Sequence, residues 1–223
     1  MSPGAEASPL ESDSFRNLLA KEAARLGFPF ADELEALSRF LTELDRWRRR
    51  INLTGPMDSE TLVGHALESA LGATLIIDAK RVLDIGSGGG LPGIPIAICR
   101  PDLSVTLLEP REKRAAFLRH AIRNVPVENA GVRQERLESV TDVFDAATVR
   151  AVGRVAETIG PAKFLEEGGR LLAWTTDVPG LEASLSAFFE LEEVLPVPGS
   201  SRRQIARFRH RVPRRTHSGK PVV

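Results

Sequence analysis

Arg81-Val82-Leu83-Asp84-Ile85-Gly86-Ser87-Gly88-Gly89-Gly90-Leu91-Pro92-Gly93 is the stretch that decides the fold of this chain. Val82 to Ile85 reads as a short buried strand whose tip carries the carboxylate of Asp84. A glycine-dense turn follows, and a helix opens near Leu91-Pro92. Glycine alone lets a backbone turn sharply, enter positive φ and leave no side chain between itself and a ligand. Four glycines in the five positions 86–90 would cost a plain turn chain entropy to no purpose, so the turn implies a ligand.

The chemistry of that ligand follows from the neighbours of the turn. Asp84, beside Gly86, Ser87, Gly88 and Gly90, suits a molecule with a positive charge or several hydroxyls. S-adenosylmethionine has a sulfonium, an ammonium and a ribose, which points to a methyltransferase. Gly88-x-Gly90-x-x-Gly93 also fits the dinucleotide fingerprint, but that match alone is weak, and a pyrophosphate would meet the Asp84 carboxylate. A P-loop is excluded because no Lys-Ser or Lys-Thr follows the glycines.

The chain has 223 residues, enough for one sizeable domain and an appendage. No apolar run approaches the roughly 18–20 residues of a membrane span, and no secretory pattern opens the sequence. The single cysteine, Cys99, lies on an apolar helix face and reads as core packing. These features place the protein in the cytoplasm with no membrane partner, and no metal is expected. The formal net charge is zero, but no acidic residue follows Glu193. Arg202, Arg203, Arg207, Arg209, Arg211, Arg214, Arg215 and Lys220 all lie beyond it, and such a basic end points to nucleic acid.

Four segments are expected: a disordered N-terminus (1–13), a helical N-terminal region (14–78), a cofactor-binding domain (79–212) and a basic tail (213–223). Helical periodicity starts near Ser14 and stops at Gly27-Phe28-Pro29. Asp32 is expected to cap a second helix carrying Leu34, Leu37, Phe40, Leu41, Leu44 and Trp47, and a third follows from Ser59. From Arg81 strands and helices alternate, which implies a parallel sheet of βαβ units. The expected strands are Val82–Ile85, Ser104–Leu108, Ala130–Gln134, Ala146–Arg150, Gly169–Trp174, Glu190–Val197 and Gln204–Arg211. Helices are expected at Leu91–Arg100, Glu112–Asn124, Val155–Phe164 and Gly180–Phe188. Only Pro198-Gly199-Ser200-Ser201 separates the last two strands, so they form an antiparallel hairpin. This is a class I, Rossmann-like methyltransferase sheet of seven mostly parallel strands.

In an open α/β sheet, ligands bind beyond the carboxyl ends of the strands. The second strand ends on Glu109, 25 residues after Asp84, a placement suited to a carboxylate on two ribose hydroxyls. After the third strand, Leu137 and Glu138 stand where an adenine edge could be held. The fourth ends at Arg150, placed to pair with a carboxylate or a phosphate.

Asn52-Leu53-Thr54, His65, Glu68-Ser69, the whole run from Val82 to Pro95, Leu107-Leu108-Glu109, Lys113-Arg114, Phe117-Leu118, Glu138 and Arg150-Ala151 stand in an order that resembles the RsmG (GidB) family of 16S rRNA guanine-N7 methyltransferases. Leu91-Pro92-Gly93-Ile94-Pro95 carries the resemblance most specifically. The resemblance implies S-adenosylmethionine at Gly86 and Leu91, at Glu109 with Pro110 and Arg111, at Leu137-Glu138 and at Arg150. It implies methylation of a guanine in the decoding-region loop, on 16S rRNA or the small ribosomal subunit; a monomer is expected. Two departures stand out: Glu68-Ser69 replaces the family's Asp-Ser, and Trp174-Thr175-Thr176-Asp177 replaces its Lys-Gly after strand five.

Asn52, His65, Arg150, Arg203, Arg214 and Arg215 are the candidates for RNA contact. Trp47 and Phe208 are core residues that could instead stack on a base. Guanine N7 carries an in-plane lone pair, so no catalytic general base is expected and rate comes from alignment. A methyltransferase of a small molecule or protein, and a non-catalytic RNA-binding protein on the same fold, are the competing readings.

Overall fold

The computed structural model describes residues 9–150 and 155–211. Residues 1–8 of the expected disordered terminus, Ala151, and the expected tail with Arg214, Arg215 and Lys220 lie outside the described residues. The elements in order are α1 (Pro9–Leu26), α2 (Leu34–Arg48), α3 (Ser59–Leu71), β1 (Arg81–Ile85), α4 (Gly93–Cys99), β2 (Ser104–Leu108), α5 (Glu112–Asn124), β3 (Ala130–Arg133), β4 (Phe144–Arg150), α6 (Val155–Ile159), β5 (Leu165–Thr175), α7 (Val178–Leu185), β6 (Phe189–Pro196) and β7 (Gln204–His210).

The seven strands form one sheet in the order β3-β2-β1-β4-β5-β7-β6. Strands β1 to β5 are parallel, and β7 runs antiparallel between β5 and β6. The order reverses between β1 and β4, and that switch point sets where a ligand can enter. The expected class I sheet with its closing hairpin is present.

Alternation along the strands feeds two apolar layers. Val82, Val105, Leu107, Ala146, Leu172 and Ile205 join helices α1 to α5 on one face. Leu83, Ile85, Leu108, Ala147, Val149, Leu171 and Phe208 join α6 and α7 on the other. The N-terminal helices therefore share a core with the sheet. Cys99 is buried there, and burial pushes its thiol up to about 12, which suits packing and leaves it inert. Phe208 is fully buried, and Trp47 packs its ring 5.8 Å from Phe117 and 5.0 Å from His120. Phe208 is a core residue, and Trp47 is a partly buried ring packed against the core.

Boundaries differ from expectation where local capping prevails. α1 begins at Pro9, ahead of Ser14. Asp32 does not cap α2: it lies in a 3-10 turn (Ala31–Glu33) closed by the Glu33 amide donating to the Phe30 carbonyl, and Glu33 stands at the cap position without a side-chain bond. Asp58 caps α3 by accepting from the Thr61 amide at 2.8 Å, and Asp177 caps α7 by accepting from the Gly180 amide at 3.0 Å. α4 is shorter than expected because Leu91 and Pro92 belong to the turn. α6 stops at Ile159, where Gly160 adopts φ +51° and Pro161 follows. β5 starts early, at Leu165, across an irregularity in its pairing with β4.

The end of α3 is fitted to β5 by one close approach. A Cβ on Gly72 would stand 2.4 Å from Cζ2 of Trp174. Gly72→Ala is expected to lower stability by about 1–3 kcal/mol. In a Trp174→Leu background the same change should cost less, measured by urea denaturation; equal costs in both backgrounds would show that the ring and the helix end are not coupled.

Candidate active site

The glycine turn is anchored from beneath. Amides of Gly86 and Ser87 donate to the Leu108 carbonyl of β2 at 2.9 and 3.0 Å, and the Gly90 amide donates to the Ser87 carbonyl at 2.7 Å. Asp84, expected among the ligand contacts, is 1% exposed and turned under the turn. Its carboxylate accepts from the Thr148 hydroxyl of β4 at 2.8 Å and from the Gly93 amide at the start of α4 at 3.2 Å. Burial pushes this carboxyl up to about 6, against the pull of those hydrogen bonds. Gly93 has no room for a side chain: a Cβ there would lie 2.3 Å from Leu107 Cδ2 and 2.5 Å from the Asp84 carboxylate.

One face of the turn is filled by the chain itself. A Cβ on Gly90 would meet Ile94 Cδ1 at 2.7 Å, and one on Gly89 would meet Leu44 Cδ1 and the Leu53 carbonyl at 3.3 Å. The other face is open, since Gly86 is exposed at φ +71° and Leu91 half-buried. Glu109, 3% exposed at the tip of β2, accepts from the Gly88 amide at 3.0 Å and the Arg111 amide at 2.9 Å. Pro110 and Arg111 are exposed beside it, and Leu137 and Glu138 form a 3-10 turn beyond β3. These positions share the carboxyl edge of β1, β2 and β3. A packed underside, an exposed glycine and an adjacent carboxylate fit a ligand with hydroxyls and a positive charge.

Across the switch point stands a second group. Arg150, at the end of β4, donates to the His65 carbonyl at 3.1 Å and the Ser69 hydroxyl at 2.7 Å. Glu68 is 3% exposed and receives Arg203 at 2.8 Å, with Arg150 at 3.7 Å. Trp174 donates its indole N–H to the Glu68 carbonyl at 3.3 Å. Burial pushes the Glu68 carboxyl up, while Arg150 and Arg203 act against that. Burial, with Arg150 and Arg203 adding to it, pushes His65 down to about 4. Asn52 is exposed, and its carbonyl accepts from Arg114 at 3.1 Å, tying the loop before α3 to α5.

Three arginines of the basic C-terminal stretch, Arg207, Arg209 and Arg211, are paired with acids of β6. The β6–β7 register sets Glu190 opposite Arg209 and Glu193 opposite Arg207. Arg209 pairs with Glu190 at 2.8 Å, Arg207 with Glu193 at 3.0 Å, and Arg211 approaches Glu190 at 3.9 Å. Composition alone hides this pairing, because the acids precede the stretch in sequence. Thr148 carries no mark in the sequence as a partner of Asp84 beyond its lone hydroxyl in the run Ala146-Ala147-Thr148-Val149. Trp174 stands out there only as a departure from the family after strand five.

Comparison with known proteins accords with this geometry. A family model described as rRNA small subunit methyltransferase G (GidB) matches residues 33–187. "Ribosomal RNA small subunit methyltransferase G" of Xanthomonas campestris pv. campestris (strain 8004) is 40% identical over 175 residues, covering 76% of this chain and 82% of that protein. The protein of the same name from Neisseria gonorrhoeae (strain NCCP11945) is 39% identical over 138 residues, 60% of this chain and 67% of its own length. Among solved structures, N-methyltransferase NodS from Bradyrhizobium japonicum WM9, in complex with S-adenosyl-L-homocysteine, superposes with a TM-score of 0.54 at 16% identity, covering 77% of this chain and 98% of that one. That likeness speaks for the fold.

Asp84 and His65 predict opposite pH dependences. The folded Asp84 pKa of about 6 lies above the ordinary 3.8, so the folded chain binds more protons there and stability falls as pH rises through that interval. His65, lowered from 6.5 to about 4, is protonated more readily in the unfolded chain, so stability falls as pH drops through its interval. Urea denaturation across this range should show the stability of the parent chain, relative to Asp84→Asn, falling by up to about 3 kcal/mol as pH rises. Relative to His65→Gln it should instead rise with pH. A flat difference for either variant would contradict the placement of that side chain.

Proposed function

The chain belongs to the GidB family of rRNA small subunit methyltransferases, and from that premise we propose that it methylates N7 of a guanine in the decoding-region loop of 16S rRNA. It acts on rRNA with S-adenosylmethionine as donor. The observation that carries the reading is the exposed, positive-φ Gly86 beside the buried Glu109 carboxylate at the carboxyl edge of β1 and β2.

Bound there, S-adenosylmethionine supplies a methyl group activated by its sulfonium. The residues that would hold it are Gly86, Ser87, Gly88, Gly90 and Leu91 of the turn, Glu109 with Pro110 and Arg111, Leu137-Glu138, and Arg150. Gly86 allows the closest backbone approach. Glu109 spends one lone pair on each of two amides and keeps capacity for ribose hydroxyls. Asp84 keeps the turn in place from below, so the backbone is set before any ligand arrives.

The acceptor side asks the chain for position rather than proton transfer. Guanine N7 needs no deprotonation, and His65, with its pKa near 4, is too weak a base to be required at neutral pH. Arg150, fixed by His65 and Ser69, is oriented before substrate binds. Arg202, exposed beside Arg203, and the tail residues Arg214 and Arg215 are proposed to meet phosphates, which position the RNA without reading its sequence. Because N7 faces the inaccessible major groove of A-form RNA, the acceptor is an unpaired loop base. We place the enzyme in the cytoplasm, acting as a monomer; among the described residues no helix is long and apolar enough to cross a membrane.

The purified protein, given S-adenosylmethionine and unmodified small-subunit rRNA or subunits, should produce N7-methylguanine at one decoding-loop position. An unchanged modification map in both substrates would sink the reading. Glu109→Ala should weaken S-adenosylmethionine binding by about 10- to 100-fold in calorimetry, the loss of hydrogen bonds to a charged acceptor. Methylation should also fall steeply with added salt as phosphate contacts are screened.

A further inference from the structure

A cavity of about 330 Å³ opens at the carboxyl ends of β4 and β5, with Glu68, Val149, Arg150, Ala173, Trp174 and Arg203 among its lining residues. Val149 pairs in register with Ile85, the residue before exposed Gly86, so the cavity lies about one strand spacing (~4.8 Å) from the glycine turn. A flat ring entering this cavity comes within reach of a group held on the turn.

The cavity wall holds an unusual acceptor. Glu68 is 97% buried (3% exposed), yet only its Oε2 atom is engaged, by Arg203 at 2.8 Å and by Arg150 at 3.7 Å. Among the described residues, Oε1 has no hydrogen-bond donor. Oε1 is not one of the sealed side-chain atoms left without a partner, which among the described residues are Thr54 Oγ1 and Arg207 Nε, so it keeps contact with solvent and its lone pairs are open to a ligand. Trp174 adds aromatic surface that cannot swing away, because its ring packs against Gly72 and its N–H is bonded to the Glu68 carbonyl.

The donor pattern that satisfies this wall belongs to one base. An ionised carboxylate only accepts, at about four lone-pair sites. Guanine presents two adjacent donors, N1–H and N2–H, on its Watson–Crick edge. Adenine and cytosine place a bare ring nitrogen there, and uracil flanks its single N–H with carbonyls. A guanine held through that edge leaves N7 unbonded, which is the condition for accepting a methyl group.

We propose that Glu68 selects the acceptor base, receiving N1–H and N2–H of an unstacked guanine in the cavity beside Trp174 while Arg150 and Arg203 hold its carboxylate in place. This rests on the reading of the protein as a guanine-N7 methyltransferase. It makes α3 of the N-terminal region a specificity element and gives a task to Glu68, where the family usually has Asp.

The test compares methyl transfer to small-subunit rRNA fragments carrying guanosine or inosine at the methylated position, since inosine lacks only the 2-amino group. The parent chain should prefer guanosine by about tenfold or more in kcat/KM, the worth of one hydrogen bond to a charged group. Glu68→Gln should lose most guanosine activity and bring the guanosine-to-inosine ratio toward one, while Glu68→Asp keeps the preference. A parent ratio near one, or a Glu68→Gln variant that slows both substrates alike, would overturn the proposal. If no transfer to rRNA occurs at all, the functional reading fails separately. The cavity is then tested in a Trp47→Phe background by titrating Trp174 fluorescence with guanosine and inosine monophosphates. Tighter binding of guanosine monophosphate upholds the selection by Glu68, and equal binding or none refutes it.

Discussion

A single buried carboxylate holds the centre of this molecule together. Asp84 sits beneath the glycine turn and joins three elements: β1, which carries it, β4 through Thr148, and α4 through the Gly93 amide. Burying a carboxylate costs several kcal/mol unless hydrogen bonds replace its water, and here both oxygens are engaged. The same group that fixes the turn also forbids any side chain at Gly93. Everything the turn offers outward, Gly86 above all, depends on this support from below.

The second organising contact lies across the switch point, where α3 is laid over the ends of β4, β5 and β7. Arg150 reaches the His65 carbonyl and Ser69 hydroxyl, Arg203 reaches Glu68, and Trp174 fills the space left by Gly72. The helical N-terminal region thus supplies one wall of the candidate site as well as part of the core. Burial of Glu68 and of most of the Arg150 side chain strengthens the attraction between them, while Arg203, with 37% of its side chain exposed, remains partly in solvent.

Much of this was legible in the chain. The strand, turn and helix around Asp84, the alternation of strands and helices, and the hairpin forced by Pro198-Gly199-Ser200-Ser201 all rest on local rules, and local rules acted. The direction of Asp84 was less legible. A carboxylate at a strand tip reads as a ligand group, and only the neighbouring strand shows that Thr148 claims it from inside. The basic C-terminal stretch was legible only as a total: Arg207, Arg209 and Arg211 find Glu190 and Glu193 across the hairpin, while Arg202 stays exposed.

By itself, the sequence determined which backbone segments form the sheet and which loop can approach a ligand, because periodicity and glycine content are properties of neighbouring residues. Tertiary structure alone decided what Glu68, Arg150, Trp174 and Arg203 do together. They are far apart in the chain, and only the return of β4, β5 and β7 under α3 brings their charges and rings within a few ångströms. There the burial of Glu68 and Arg150 removes most of the water that would otherwise satisfy their charges, which favours pairing between them.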